Sequence, residues 1–166
     1  MGQGTCPSVP REGERRYMYK LLSWAAPVIW MAIIFYLSHQ PSAVSNELSS
    51  GLTEVIINKI KTIAPDREFN IEALHHFVRK NAHFFAYLLL GALVLHALRS
   101  SNILGYRGII AALLICVLYA ASDEIHQLFI AGRSGEVRDV LIDSAGASIG
   151  IGIWMVVARI LGRKRS

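Results

Sequence analysis

The chain has 166 residues, enough for one domain of ordinary size. Its residues are 53% hydrophobic, modestly above the roughly 45–50% of a soluble domain, and the excess lies in uncharged blocks that argue against a water-soluble globule. The net charge of +5 sits at the chain ends and in short loops, which fits the cytoplasmic margin of a membrane protein and excludes a nucleic-acid-binding face as its main cause.

Residues 1–20 are polar and basic, with Arg11, Arg15, Arg16 and Lys20, and read as a cytoplasmic tail without fixed structure to about Tyr17. The opening M-G-Q-G-T-C has Cys6 where a myristoylation signal needs Ser or Thr. Leu21 to Ser38 is an apolar run of 18 residues, within the ~17–25 that a spanning helix needs. A cleaved signal peptide has a shorter apolar core and a small-residue cleavage site. Ser38-His39-Gln40-Pro41 is a poor one, so the run reads as a retained helix, with Pro27 the position at which it would kink.

In the next segment Leu48, Leu52, Val55, Ile56, Ile60 and Ile63 fall on one helical stripe, with Glu47, Glu54, Lys59 and Lys61 elsewhere on the wheel. This predicts an extra amphipathic helix in the first outer loop, too charged to cross a bilayer and suited to lying on its surface or packing on other helices. Ala64-Pro65-Asp66 ends it. A further helix starts near Asn70 and runs into a second span, about Asn81 to Leu98. The turn Arg99 to Arg107 leads to a third span, about Gly108 to Phe129, and the loop Ala131 to Gly135 leads to a fourth, about Val137 to Leu161. The fold class is therefore an all-α membrane protein, a bundle of four transmembrane helices: a membrane domain over 21–161 between the tail 1–20 and a basic cytoplasmic tail, 162–166. Cys6 in the polar head and Cys116 inside the third span are too differently placed to pair.

Four spans put both ends on one side. The head, the 99–107 turn and the tail from Arg159 hold ten of the 17 Lys and Arg residues. The positive-inside rule then places both termini in the cytoplasm. The polar groups of all four helices consequently share one depth, near the outer interface. Ser38, His39 and Gln40 end the first helix there; Lys80 and His83 begin the second. Ser122, Asp123, Glu124, His126 and Gln127 end the third, and Asp139 and Asp143 begin the fourth.

Helical spacing sorts these residues by face. Lys80, His83, Tyr87 and Gly91 share one face of the second helix; Asp139, Asp143, Gly146 and Gly150 share one of the fourth. On the third, Ser122 and His126 share a face, as do Asp123 and Gln127. Small residues at Gly146, Ala147 and Gly150 permit close helix contact. Charge near hydrocarbon is costly and needs a partner or a task. Lys80 opening the second span and Asp123-Glu124 closing the third oppose the helix dipole, which is tolerable if they neutralise one another. Lys80 and His83 are thus expected to meet Asp123, His126 and Asp139. A histidine beside carboxylates is suited to proton transfer near neutral pH, so His83, Asp123, Glu124, His126, Asp139 and Asp143 are the candidate catalytic residues. Lys80, Tyr87, Ser122, Gln127 and Arg133 are the candidate substrate-binding residues, with Arg133 suited to a lipid headgroup phosphate. A Zn²⁺ or Mn²⁺ site is not assigned, since no compact ligand motif is present. No cofactor is assigned. His75 and His76 read as solvated, and His96 and Cys116 as packing residues.

K-N-A-H-F-F-A-Y-L-L-L-G (Lys80 to Gly91), S-D-E-I-H-Q-L-F-I-A-G-R (Ser122 to Arg133) and D-V-L-I-D-S-A-G-A-S-I-G (Asp139 to Gly150) resemble the VanZ-like family. F-Y-L-S-H-Q-P (Phe35 to Pro41) resembles its first-helix ending, with His39 where a small residue is more usual. The resemblance covers about residues 20–160, in order and with matching spacing. It implies a small multi-pass protein of the bacterial cytoplasmic membrane. The founding member is associated with low-level resistance to the glycopeptide teicoplanin, so an effect on glycopeptide susceptibility, or handling of an outer-leaflet lipid or cell-wall precursor, is the implied function. The resemblance implies no particular reaction. A membrane-embedded enzyme acting on a lipid-linked substrate and a scaffold with a buried polar network stay open beside it. The lipid bilayer and a lipid headgroup or precursor are the expected partners.

The orientation is testable with an impermeant thiol reagent on whole cells. With Cys6 and Cys116 replaced, a cysteine at Ser134 should label and one at Ser101 should not; the reverse pattern would invert the topology.

Overall fold

The computed structural model describes residues 12–41, 51, 71–133 and 135–163. The amphipathic helix expected over residues 48–63 lies outside the described residues. Four helices are described: α1 (Glu12–Ser38), α2 (Ile71–Ser100), α3 (Gly105–Gln127) and α4 (Val137–Arg163). Each is long and apolar enough to cross a membrane. No more than 39% of the residues in any of the four apolar windows is buried, and large apolar side chains such as Leu22, Ile33, Phe85, Leu114, Leu118 and Ile153 point outward. A surface this apolar is stable in hydrocarbon, not in water.

Three details differ from the sequence reading. Helix α1 starts at Glu12 rather than near Tyr17, with Glu12 and Glu14 in its first turn, where the helix dipole favours acids. The helix expected from near Asn70 does run into the second span as one helix, α2, but Lys80 does not open it. Lys80 lies in its third turn, and the dipole penalty expected for a lysine opening a helix does not arise. Helix α3 stops at Gln127. Beyond it, Phe129 and Ile130 donate to the carbonyls of His126 and Gln127, both at 3.0 Å, the tightened turns in which helices commonly end.

The turn between α2 and α3 follows from one residue. Asn102 has φ 65°, a left-handed conformation that asparagine tolerates. Its N–H donates to the Arg99 carbonyl and that of Ile103 to the Leu98 carbonyl, both at 3.0 Å. This paired closure satisfies carbonyls that the helix end would otherwise leave bare.

Helix α2 is the centre of the bundle. It supplies Tyr87, Leu90, Val94, Leu95 and Leu98 to the core, which meet Ala112, Cys116 and Ala120 of α3, Ala147 and Ile151 of α4, and Ile34 of α1. Large side chains from one helix thus fill against small ones from its neighbours. Helix α1 is fastened by polar side chains. Trp24 Nε1 donates to Ser101 Oγ at 3.0 Å, Trp30 Nε1 to the Ala86 carbonyl at 2.8 Å, and Tyr119 Oη to the Met31 carbonyl at 2.6 Å.

Helices α2 and α4 run in the same direction and touch backbone to backbone. A Cβ added at Gly146 would strike the Phe84 carbonyl, one at Gly150 the Leu88 carbonyl, and one at Gly91 the Ala147 carbonyl. In lipid there is no hydrophobic force between helices, so close approach through small residues is the main source of contact energy. Gly150→Ala and Gly91→Ala should therefore lower the thermal stability of the purified protein by about 1–3 kcal/mol, the usual cost of overpacking. Gly152→Ala, with nothing within 4 Å of the new methyl, should leave it unchanged or raise it by up to about 1 kcal/mol. A Gly150→Ala protein that melts with the wild type would refute the contact.

Candidate functional site

The register set by those glycines brings the polar faces of α2 and α4 together. Lys80 Nζ lies 2.7 Å from Asp139 Oδ1 and donates to Glu136 Oε2 at 3.1 Å. One turn further in, His83 Nδ1 lies 3.6 Å from Asp143 Oδ2, and Asp143 is only 1% exposed. Glu136, just before α4, has its carboxyl held below the usual range by the hydrogen bond and charge of Lys80.

Helices α1 and α3 close the other side. Ser38 Oγ donates to Asp123 Oδ2 at 2.8 Å. Gln127 Nε2 donates to Asp123 Oδ2 at 3.4 Å and to Glu124 Oε1 at 3.3 Å. The backbone N–H of Glu136 donates to Glu124 Oε2 at 3.0 Å, joining the end of α3 to the start of α4. Between those helices Gly132, with φ 74°, turns the loop so that Arg133 reaches back. Its Nη1 donates to Gln127 Oε1 and its Nη2 to the Leu37 carbonyl, both at 3.4 Å. Burial, reinforced by the charge of Arg79, lowers the Arg133 guanidinium from its usual range, while Asp123 and Glu124 oppose the shift.

The result is a narrow cleft whose walls include His76, Arg79, Lys80, His83, Glu124, Arg133, Asp139 and Asp143. Its interior of about 20 Å³ compares with the ~10–15 Å³ that one water needs, so it admits a water and no larger group. Several buried polar atoms near its floor have no hydrogen-bond partner among the described residues: both oxygens of Asp143, Oδ1 of Asp123 and the hydroxyl of Tyr87. No group of three or more His, Cys, Asp or Glu side chains among the described residues is arranged to hold a metal ion.

Of the residues singled out in the sequence, Lys80, His83, Glu124, Gln127, Arg133, Asp139 and Asp143 line the cleft, and Asp123 is tied to it through Gln127. Tyr87 lies fully buried beneath, its ring 6.0 Å from that of Tyr119. His126 is not brought to Lys80 and Asp139 as expected. Its Nε2 is 3.0 Å from His39 Nδ1 and its ring 4.7 Å from Phe35, on the seam of α1 and α3. The cause is helical geometry: once Asp123 and Gln127 face inward, His126 is carried to another side of α3. Ser122 shares that outward placement, is exposed, and donates to the Tyr119 carbonyl of its own helix at 2.8 Å.

The sequence reading passed over Arg79, Glu136 and the Ser38–Asp123 bond, and it left His76 in solvent. Glu136 precedes Asp139 by three residues, and the Glu136 carbonyl accepts from the Asp139 N–H at 2.9 Å; that spacing was the available signal. His76 and Arg79 precede Lys80 and His83 on α2 by four residues each, so helical periodicity places them on the same face. His96 and Cys116 are packing residues, the first against Trp154 and Tyr19, the second fully buried.

Four apolar helices with a cluster of ionisable side chains gathered at one end define a multi-pass membrane protein. The chain matches the VanZ/LLP1 family over residues 23–159 and belongs to that family. No curated protein and no solved structure matches it.

The unpartnered hydroxyl of Tyr87 gives a test of how complete the network is. Removing a buried hydroxyl that makes no hydrogen bond should be neutral or stabilising, so Tyr87→Phe should melt at or above the wild-type temperature. A loss of more than about 1 kcal/mol would mean that the hydroxyl holds a buried water or ligand.

Proposed function

We propose that this protein is a bacterial envelope protein, with both termini cytoplasmic, that handles an outer-leaflet lipid or lipid-linked cell-wall precursor through the cleft. Altered glycopeptide susceptibility is then the outward sign of that activity. Arg15, Arg16 and Lys20 of α1 support this orientation, because they lie beside the α2–α3 turn, at the end of the bundle away from the cleft.

The observation that carries the reading is the His83–Asp143 pair at the cleft floor. A scaffold network gains from satisfying its polar atoms, and a buried acceptor without a hydrogen bond costs about 1–3 kcal/mol. Asp143 keeps two such oxygens, next to a histidine and a water-sized space. That arrangement costs stability and is useful to a site that takes up a proton or a ligand.

The same pair favours a second reading, a membrane-embedded enzyme. With Nδ1 turned toward Asp143, His83 has Nε2 left to accept a proton from water or a substrate hydroxyl, and Asp143 orients the ring. Lys80, held by Asp139 and Glu136, would fix charge at the entrance. In this reading His83 is the base, and His126 lies apart from the reacting groups.

His83→Gln and Asp143→Asn preserve shape while abolishing proton transfer. Expressed in cells lacking the native copy, both should accumulate to near wild-type levels and lose the effect on teicoplanin susceptibility or lipid turnover. His126→Gln, on the far seam, should retain both. Full phenotype in both cleft variants would sink this function; loss of abundance in both would point to a scaffold.

A further inference from the structure

Arg79 and Arg133 stand out because, among the described residues, neither guanidinium lies within ion-pair distance of a carboxylate. Arg79 comes from α2, one residue before Lys80, and Arg133 from the loop after Gly132; both face the cleft. Of the acids nearby, Glu136 and Asp139 are engaged by Lys80, Glu124 by Gln127 and the Glu136 N–H, and Asp123 by Ser38 and Gln127, while Asp143 faces His83 at 3.6 Å; Asp123 and Glu124 act on Arg133 through space alone. Arg133 makes only long contacts, 3.4 Å, to two neutral oxygens, and its buried Nε has no partner among the described residues. Two guanidiniums drawn together and partly out of water repel one another unless an anion lies between them.

We propose that Arg79 and Arg133 clamp a phosphate group bearing two negative charges, a phosphomonoester or a diphosphate, at the mouth of the cleft. This rests on the reading of the cleft as a lipid- or precursor-handling site. A dianion balances both cations. Its terminal oxygens match two planar forks, each able to donate a pair of parallel hydrogen bonds. A carboxylate offers one charge and two oxygens, and leaves one arginine uncompensated. The cleft interior holds no more than water, so the phosphate sits at the entrance, with the rest of its carrier in lipid or solution. Lys80 is saturated by Asp139 and Glu136 and stays outside the clamp.

The test uses the full-length protein in phosphatidylcholine nanodiscs. Inorganic pyrophosphate is titrated from solution, and phosphatidic acid is introduced into the disc, with oleate as a carboxylate control. Arg79→Gln and Arg133→Gln should each weaken phosphate binding about tenfold or more, as expected for loss of a charge-assisted fork. Arg79→Lys and Arg133→Lys keep the charge but lose the fork, so they should bind measurably more weakly than the wild type even if a glutamine variant fails to fold. Binding of pyrophosphate alone assigns the phosphate to a soluble ligand, and binding of phosphatidic acid alone assigns it to a lipid headgroup; either outcome supports the clamp. Unchanged affinity in the lysine variants, no binding of either probe, or oleate binding as tightly as phosphatidic acid would overturn it. Gly152→Ala, with open space around the new methyl, should bind phosphate normally; the phenotype of His83→Gln is scored separately. If His83→Gln keeps its phenotype, the role given to His83 fails while the clamp stands.

Discussion

The polar end of this protein depends on how closely the backbones of α2 and α4 approach. Gly146 and Gly150 sit against the Phe84 and Leu88 carbonyls, and Gly91 against that of Ala147. That contact fixes both the spacing and the axial register of the two helices. Only in this register does Lys80 fall opposite Asp139 and His83 opposite Asp143. A side chain in place of those hydrogens would push the helices apart by the width of a methyl group. Every ion pair above the contact would lengthen together, in surroundings where charges interact strongly and separation is costly.

The remaining helices are joined to this pair by polar bonds. The end of α3 is held to the start of α4 through Glu124 and the Glu136 N–H, and α1 is held to α3 through Ser38 and Asp123. Acidic and basic groups therefore alternate around the cleft. The acids on the α4 wall are matched by Lys80 and His83. The two arginines meet no carboxylate among the described residues. This asymmetry separates the cleft from a network whose only task is to align helices.

The four spans, their order and their connecting turns were legible because an uncharged block as long as a bilayer is thick has almost nowhere to fold but in hydrocarbon. The face assignments were legible for a periodic reason. Lys80 and His83 do meet Asp139 and Asp143, and Asp123 and Gln127 do lie on one side of α3 with Ser122 and His126 elsewhere. A helical period does not say which face of α3 turns inward, and that is why His126 was expected among residues it does not touch. Nor does composition say how far a site extends beyond the apolar block. His76 precedes the uncharged block and was assigned to the outer segment, so it was read as solvated although α2 carries it to the cleft. The Ser38–Asp123 bond joins positions 85 residues apart, and no local pattern in the chain announces it.

Helix α1 shows what a few directional bonds do in lipid. Trp24 binds it near one end, and Trp30 and the hydroxyl of Tyr119 bind it about two turns further along, at Trp30 and Met31. Turning α1 about its own axis would break these bonds where no water can replace them. Its azimuth is therefore locked, much as keys along a shaft prevent slip, although its apolar contacts with α3 and α4 are sparse. The angular setting made at Trp24, near one membrane face, is transmitted to the opposite face, where it keeps Ser38 aimed at Asp123.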